Sequence, residues 1–377
     1  MPIGAKPIKY SMKIVQITPL ALLLLSASIA NASTPFTIGS RTSDFGTGNA
    51  IYQSLSSAAD NIETQINTGF LSDSSRLTFL NSMAEANVSP THLIAIDRNQ
   101  SPNRYSVSLG AQVGLNAGSA GSPFSAVSAN NSLPAIGLGA QLTASIGLQP
   151  AALGLNRLGP LDPKRSLVAI NFGMLSPTYG SFSGSVFNLG THLRYKIVEE
   201  KAFPAFNTWR GIDLITGLGY SKLTGTVSGS LTQSSTTTVT GGGNSTMSTT
   251  LNYDLGLQST NWSVPVEVST GFTLLGLFSV NLGGGLDFNF GTSKLTGGGS
   301  GPITASSTAS GAGAVANLFS GTATIDLNVE PYGSPSSVIG HGSLGTQFNL
   351  GVFKIFTQGA YFSNNTVGLA SGLRVLF

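Results

Sequence analysis

The fold is decided by residues 262–290, which read WSVPVEVSTGFTLLGLFSVNLGGGLDFNF. Mostly apolar residues occupy every second position as far as Leu274 and again from Phe278, and the short segment 275–277 separates the two runs. Alternation with a period of two predicts β-strands that have one apolar and one polar face. Two such runs around a short turn predict an antiparallel hairpin.

The same alternation recurs along the chain. It is regular over 105–115, 136–148 and 187–197 and less regular over 166–175 and 209–224. A tilted strand needs about 9 to 11 residues to cross a bilayer, and these runs are long enough. Their polar faces carry Gly, Ser, Asn and Gln, and only 9% of the chain is charged. Since a soluble sheet meets water with charged side chains, the pattern favours a barrel whose apolar face contacts lipid.

Strand parity refines this prediction. We count eleven alternating segments, whereas bacterial single-chain barrels have an even number of strands. If the turns at 275–277 and 351–353 both lie in the periplasm, one strand must rise and one must return between them. The segment 321–331, the least certain of the eleven, then belongs to the outer connection between those two strands. The sequence therefore predicts an all-β, antiparallel up-and-down transmembrane barrel of ten strands over residues 103–377. Twelve strands is the alternative if a strand near 35–40, or one in a Ser/Thr-rich loop, has been missed.

Two further regions complete the predicted organisation. Segments 225–250 and 292–338 are rich in Gly, Ser and Thr, so we expect long outer loops whose Thr-rich portions extend the hairpins. Apolar residues at helical spacing over 51–66 and 77–88 predict two short amphipathic helices within 33–102. This helical segment would either plug the lumen or cap the barrel from the periplasm, because amphipathicity reports burial only.

The first 32 residues have the layout of a secretory signal. Three lysines precede the apolar run 20–25, and Ala30-Asn31-Ala32 provides a cleavage site before Ser33. The remaining chain has 15 basic and 15 acidic residues, so net charge indicates no nucleic-acid partner. The chain has no cysteine, which excludes lipid attachment after the signal. We expect a bacterial outer-membrane location.

Several stretches resemble outer-membrane barrels. They are LPAIGLGAQLTASIGLQ (133–149), LGPLDPKRSLVAINFGMLS (158–176) and NLGVFKIFTQGAYFSNNTVGLASGLRVLF (349–377). Together with the helices at 50–88, they are similar to a leptospiral surface-adhesin family. That resemblance implies surface exposure and binding to host components, and it supplies no catalytic residues. Members are often described as lipidated, and this chain departs from them because it lacks cysteine.

Several charged or titratable residues fall on predicted lumen faces and form a candidate ion network. Pairing Leu274 with Phe278 brings Glu267 and Asp287 onto neighbouring strands, where two carboxylates would bind a cation or select cations in a pore. The alternative is a set of salt bridges that fills a narrow barrel. The candidate residues are His192, Arg194, Asp213, Glu267, Asp287 and Arg374.

The segment GHGSLG, residues 340–345, contains two patterns that suggest chemistry. Its G-x-G-x-x-G spacing lacks the strand-to-helix context of a dinucleotide site, so that interpretation is rejected. His341 and Ser343 share one strand face, as in some lipid A deacylases of the outer membrane. The chain has three histidines, His92, His192 and His341, and no zinc-ligand spacing. We predict no enzyme activity, cofactor or metal.

The last ten residues, GLASGLRVLF, alternate to the final position, so the last strand should close against the first. Gly372, Val375 and Phe377 resemble the C-terminal signal by which outer-membrane barrels are recognised for assembly.

The predicted function is that of an outer-membrane surface protein, structural or adhesive through its outer loops. The alternative is a narrow pore or a transporter of small or apolar solutes, gated by the N-terminal helices, and a lipid hydrolase is more remote. Expected partners are outer-membrane lipid, the barrel-assembly machinery and host or environmental ligands, and we expect a monomer.

Overall fold

A computed structural model describes most of the chain outside the N-terminal segment and several loops. The described residues are 36–44, 46–68, 72–93, 105–116, 137–176, 178–179, 182–239, 243–307, 318–326 and 332–377. The predicted signal peptide, residues 1–32, lies outside them. Helix α1 spans Ala50–Thr68 and helix α2 spans Asp73–Val88, and the 3₁₀ turn Ser89–His92 follows α2. Neither of these helices is long and apolar enough to cross a membrane.

Strands make up most of the described residues. They are β1 (Phe36–Thr42), β2 (Ser106–Asn116), β3 (Gly137–Leu148), β4 (Ser166–Leu175), β5 (Thr178–Tyr179), β6 (Phe182–Val198), β7 (Lys201–Phe203), β8 (Asn207–Val239), β9 (Gly243–Leu274), β10 (Phe278–Ser307), β11 (Ser320–Asp326), β12 (Val338–Leu350), β13 (Phe353–Phe362) and β14 (Thr366–Leu376).

Ten of these strands form a closed antiparallel ring. Consecutive ring strands pair with each other, and β14 pairs with β2 to close the sheet. Leu274 pairs with Phe278, as the turn at 275–277 predicts. Closure gives each ring strand a neighbour on both sides within the ring, which is the condition for crossing lipid with strands. The prediction of a ten-stranded up-and-down barrel is therefore confirmed. The ring strands are β2, β3, β4, β6, β8, β9, β10, β12, β13 and β14.

The ring is polar inside and apolar outside. Asn, Gln, Ser and charged side chains are buried on the lumen face, and they include Gln112, Asn171, Asn188, Asn261 and Asn281. Large apolar side chains on the opposite face are about half exposed, and they include Leu109, Ile146, Phe172, Val268, Leu344 and Leu369. A soluble protein would bury the second set and expose the first. This reversed distribution is that of a transmembrane barrel.

The two ends of the barrel differ. The short-turn end carries the turns at 275–277 and 351–352, together with Tyr105 and Phe377, which exchange backbone hydrogen bonds of 3.3 and 2.9 Å. The opposite end, the long-hairpin end, carries the far ends of β8, β9 and β10.

Aromatic rings mark both boundaries of the apolar band. Near the long-hairpin end, ring centroids lie 5.5 Å apart for Phe172 and Phe187 and 4.8 Å apart for Tyr220 and Trp262. Near the short-turn end, Phe203 packs on Phe272 and Phe278 packs on Phe348. A strand tilted by about 45° rises roughly 24 Å between Trp262 and Phe272, which matches the apolar band of a membrane barrel.

Beyond Trp262 the polarity of β9 reverses. On the face that continues the lumen, Met247 and Leu251 are fully buried and Leu255 is nearly so. On the face that continues the lipid surface, Thr246 and Thr250 are exposed. A strand leaves lipid where its outward side chains become polar, so the ends of β8, β9 and β10 stand in water.

This reversal corrects one part of the predicted organisation. Segments 225–250 and 292–338, predicted as long loops whose Thr-rich portions extend the hairpins, are largely strand where the structure describes them, because the hairpins extend beyond the membrane. Strand β11 pairs with β10 at Gly298–Thr304, and β1 pairs with β11. The strand near 35–40 therefore exists, but it lies outside the ring. The ends of β8, β9 and β10 together with β11 and β1 form a five-stranded sheet, the projecting sheet.

Helix α1 covers one face of the projecting sheet. Its buried residues Leu55, Ala58, Ala59, Ile62 and Ile66 belong to one apolar cluster that also contains residues of the sheet. The sheet residues include Phe36, Met247, Leu251, Ile303 and Ile325. Alternation along each strand leaves the polar face of the sheet exposed.

Helix α2 lies within the ring. The side chain of Ser72 caps its first turn by accepting a hydrogen bond from Ser75 N, and residues 82–88 are all buried. Farther along, Leu93 packs in an apolar cluster with lumen-facing residues of three strands, namely Ile339, Phe356, Ala360, Phe362 and Ala370. The second half of α2 is buried all round, with polar residues among those buried, which fits a polar cavity.

Candidate functional site

A first ion group lies in the lumen between β6 and β8. Arg194 Nη2 is 2.8 Å from Asp213 Oδ2, and Lys196 Nζ is 3.4 Å from Asp213 Oδ1. Lys196 Nζ also donates to Arg210 O at 2.6 Å. The side chains of Arg194, Lys196 and Asp213 are at most 2% exposed. One buried carboxylate therefore serves two buried cations.

A second group joins β9, β10 and β12. His341 Nε2 is 3.3 Å from Glu267 Oε2, and His341 Nδ1 is 3.1 Å from Asp287 Oδ2, which is an ion-pair distance. Ser343 Oγ donates to Glu267 Oε1 at 3.4 Å. Because each ring nitrogen faces a carboxylate, imidazolium is the form that presents a proton to both. The group thus links residues that are far apart in sequence across three neighbouring strands.

Glycine on β10 makes this second group possible. Gly283 lies between β9 and β12 on the lumen face, paired with Ser269 on one side and Ser343 on the other. A Cβ at Gly283 would overlap Glu267 Oε1 and the Ser343 hydroxyl. The missing side chain lets Glu267 reach across β10 to the residues of β12.

The contacts of Ser343 differ from those of a serine hydrolase. In a catalytic triad the imidazole accepts the serine proton and a carboxylate orients the imidazole. Here Ser343 donates to Glu267, and that same carboxylate contacts His341. All three side chains also face the lumen, on the far side of the wall from lipid. The arrangement balances buried charge on the lumen side of the wall.

A third group surrounds Arg374 on β14. Arg374 Nε donates to Ser108 Oγ at 2.8 Å, and Nη1 donates to Gln347 Oε1 at 3.3 Å. The guanidinium lies 4.6 Å from the ring centroid of Phe356, within range of a cation–π interaction. Arg374 therefore has polar and aromatic neighbours of its own within the lumen.

The predicted lumen residues accordingly fall into separate groups. Arg194 meets Asp213, Glu267 and Asp287 both meet His341, and Arg374 forms its own group, while His192 is buried on β6 two residues before Arg194. Sequence reasoning left Lys196 and Gln347 out of the network and considered His341 only as a catalytic candidate. The register of β12 on β10 brings His341 to Glu267. Because no short turn joins these two strands, the sequence did not allow that register to be predicted.

Hydrogen bonds hold α2 in its place. Glu85 Oε2 accepts from Asn116 Nδ2 of β2 at 2.7 Å, and Oε1 accepts from Ser336 Oγ at 2.5 Å. Asn81 Oδ1 accepts from Ser334 N at 2.8 Å. Residues 332–337 thus tie α2 at the long-hairpin end of the barrel.

Hydroxyl groups dominate the exposed face of the projecting sheet and the adjoining rim of the barrel. Cross-strand pairs include Thr37 with Thr324 at 2.8 Å, Ser183 with Thr226 at 2.8 Å, Thr232 with Thr250 at 3.3 Å and Thr236 with Thr246 at 3.3 Å. Among the described residues, no cluster of His, Asp and Glu has the arrangement of a metal site. This face therefore offers hydroxyl and backbone groups to a ligand.

A family model described as Lsa36-like matches residues 40–377. A search of curated proteins found no match.

Solved structures with a similar fold are outer-membrane barrels. The outer-membrane protease OmpT of Escherichia coli is 8% identical, with 74% of this chain and 98% of that chain covered and a TM-score of 0.35. Omp33 of Acinetobacter baumannii is 10% identical over 74% and 100%, with a TM-score of 0.24. A FadL homologue of Pseudomonas aeruginosa is 7% identical over 79% and 97%, with a TM-score of 0.25. At these values the similarity carries no argument about function.

Proposed function

The chain belongs to the Lsa36-like family, and we propose that it is a surface-display protein of the bacterial outer membrane that adheres through its projecting sheet. The observation that carries this proposal is the reversal of polarity beyond Trp262. Past that residue the strands keep pairing, bury their apolar face under α1 and present hydroxyl side chains to water. A paired and covered sheet is a rigid platform for contacts, and the barrel is its anchor.

The orientation follows from the ends of the barrel. Bacterial barrels have short turns in the periplasm and long connections outside the cell. The short-turn end would therefore face the periplasm, and the projecting sheet, together with β1, would face outward. The similarity to leptospiral surface adhesins noted from the sequence agrees with such exposure.

Cysteine labelling on intact cells checks this orientation. The chain has no cysteine, so Thr37→Cys and Leu277→Cys each introduce a single thiol. Thr37 is exposed on β1, and Leu277 is 57% exposed in the turn after β9. We expect a membrane-impermeant maleimide to label Thr37→Cys on intact cells, and to label Leu277→Cys only after the outer membrane is opened. The opposite result would invert the proposed orientation.

Adhesion is tested with cells that produce the protein. Cells with the intact chain should bind a surface coated with extracellular-matrix extract. Replacing residues 231–251 by Asn-Gly, so that Ser230 and Asn252 flank a tight hairpin turn, should reduce this binding, because the tip of the projecting sheet is removed. Labelling at Thr37→Cys in the same background shows that the barrel still assembles. Equal binding of both cell types would contradict adhesion through the sheet.

The alternative of a pore is tested by conductance. The lumen-facing ion groups are buried and α2 is tied at the long-hairpin end, so we expect the intact protein to give no steady current in a planar bilayer. Deleting residues 36–93 should produce current, since the helix no longer occupies the lumen. Glu85→Ala, which keeps the chain complete, should give brief openings. Stable open steps from the intact protein would favour the pore over the display protein.

A further inference from the structure

The projecting sheet has two edges, which differ in whether side chains occupy their backbone groups. At one edge, Asn67 of α1 accepts from Phe36 N at 3.0 Å and donates to Phe36 O at 2.8 Å. Glu63 Oε2 accepts from Ile38 N at 3.1 Å. Side chains of α1 therefore occupy outward backbone groups of Phe36 and Ile38, which blocks strand pairing along this part of β1.

The other edge is the end of β8. Strand β6 pairs with β8 only as far as Val227, whereas β9 pairs with β8 up to Val239. Residues 228–239 thus have a strand on one side only, within the part of the chain that the structure describes. In a strand, backbone N–H and C=O groups point alternately to the two neighbours, so half of those in 228–239 point away from β9.

This second edge lacks the features that usually protect an edge strand. Such edges carry charged residues, proline or bulges that prevent pairing with another chain. Residues 228–239 read SGSLTQSSTTTV, with no charge and no proline, and their pairing with β9 runs without a shift in register. Thr232, Ser234, Thr236 and Thr238 are exposed along it. Among the described residues, this edge therefore presents an uncharged ladder of backbone groups in water.

We propose that residues 228–239 bind an extended, uncharged segment of a partner protein, which adds as a sixth strand to the projecting sheet. The backbone groups of the edge would supply the hydrogen bonds, as in other cases of strand addition. The absence of charge at the edge favours an uncharged segment, because a charged one would find no ion-pair partner along residues 228–239. This inference rests on the proposed adhesive function and names the mode by which the sheet would hold its ligand.

The chain itself provides a probe for this edge. Residues 245–252, STMSTTLN, pair with residues 230–237 of β8 from the other side and carry no charge. A fluorescent synthetic peptide of that sequence should bind the purified full-length protein in detergent. Hydrogen exchange should show new protection of amides in 228–239. The same peptide with every backbone nitrogen methylated should not bind, since it has no N–H donors.

Two matched variants locate the binding site. Thr232→Lys with Thr236→Lys places charge along the edge, and Thr250→Lys with Thr246→Lys places it on the directly paired residues of β9. All four residues are exposed on one face. Each variant adds two lysines, so both variants change net charge equally. We expect the edge variant to weaken peptide binding by about tenfold or more, as lysine does at natural edges, and the β9 variant to retain it.

The outcomes separate this inference from the proposed function. Equal loss in both variants, or binding of the methylated peptide, would overturn strand addition at β8. Dimerisation of the unmodified protein that the edge variant abolishes would assign the edge to a second copy of the chain and overturn the partner segment. If cells with the intact chain and cells with the edge variant adhere to matrix equally well, strand addition fails and the adhesive function stands. If cells with the intact chain do not adhere, the adhesive function fails.

Discussion

Asp213→Ala is expected to destabilise the barrel by roughly 3–5 kcal/mol, because it leaves two buried cations without their carboxylate. Arg194 and Lys196 both contact Asp213 inside the wall of β6 and β8, at 2.8 and 3.4 Å. The side chains of both cations are 2% exposed, so bulk water does not solvate them in the folded barrel. The urea midpoint of unfolding of the purified protein in detergent, read from the gel mobility of folded and unfolded forms, measures the loss.

Two further variants serve as controls for the effect of Asp213→Ala. Asp254→Ala removes an exposed carboxylate of the projecting sheet and should leave the midpoint nearly unchanged. Replacing the group together, by Asp213→Leu with Arg194→Met and Lys196→Met, should recover much of the lost stability, because no buried charge remains unpaired. A small effect of Asp213→Ala alone would mean that water reaches this part of the lumen and solvates the cations.

The barrel was predictable because its signal is local. Alternation over 262–290 and the turn at 275–277 give strand type, face and pairing from adjacent residues, and Leu274 does pair with Phe278. Parity then selects ten strands from eleven segments. The same alternation also contains the reversal of polarity beyond Trp262, because the lumen-side positions of β9 there are the apolar residues Met247, Leu251 and Leu255. Low-complexity composition obscured how far the strands extend, and the described residues of the two predicted loops are mostly strand.

The lumen groups were less accessible to sequence reasoning. Arg194 and Asp213 lie on strands joined through 199–206, so their proximity follows from chain order. His341 meets Glu267 only because β12 pairs with β10 after a long excursion, and the length of such a connection does not set a register. The side chains of α2 give no indication of which strands they contact, so the bond between Glu85 and Asn116 had no signal in the sequence.

Deleting Phe377 is expected to remove most of the assembled protein from the outer membrane, because it eliminates both a closing contact and the end of the predicted assembly signal. Phe377 N donates to Tyr105 O at 2.9 Å, and Tyr105 N donates to Phe377 O at 3.3 Å, so the ring is joined at this residue. Its side chain is 71% exposed at the short-turn end. The amount of folded protein in isolated outer membranes, compared with the intact chain, is the measurement.

A second aromatic residue serves as the control, and refolding in detergent separates the two roles of Phe377. Phe206 is 84% exposed on the connection between β7 and β8, so Phe206→Ala removes a similar exposed ring without touching the C-terminal residues that resemble the signal, Gly372, Val375 and Phe377. It should assemble in nearly normal amounts. The purified chain without Phe377 should still refold in detergent, because two closing hydrogen bonds are a small part of the β14–β2 pairing. Failure in both settings would instead assign Phe377 a structural role in ring closure, and normal assembly in cells would rule out the signal.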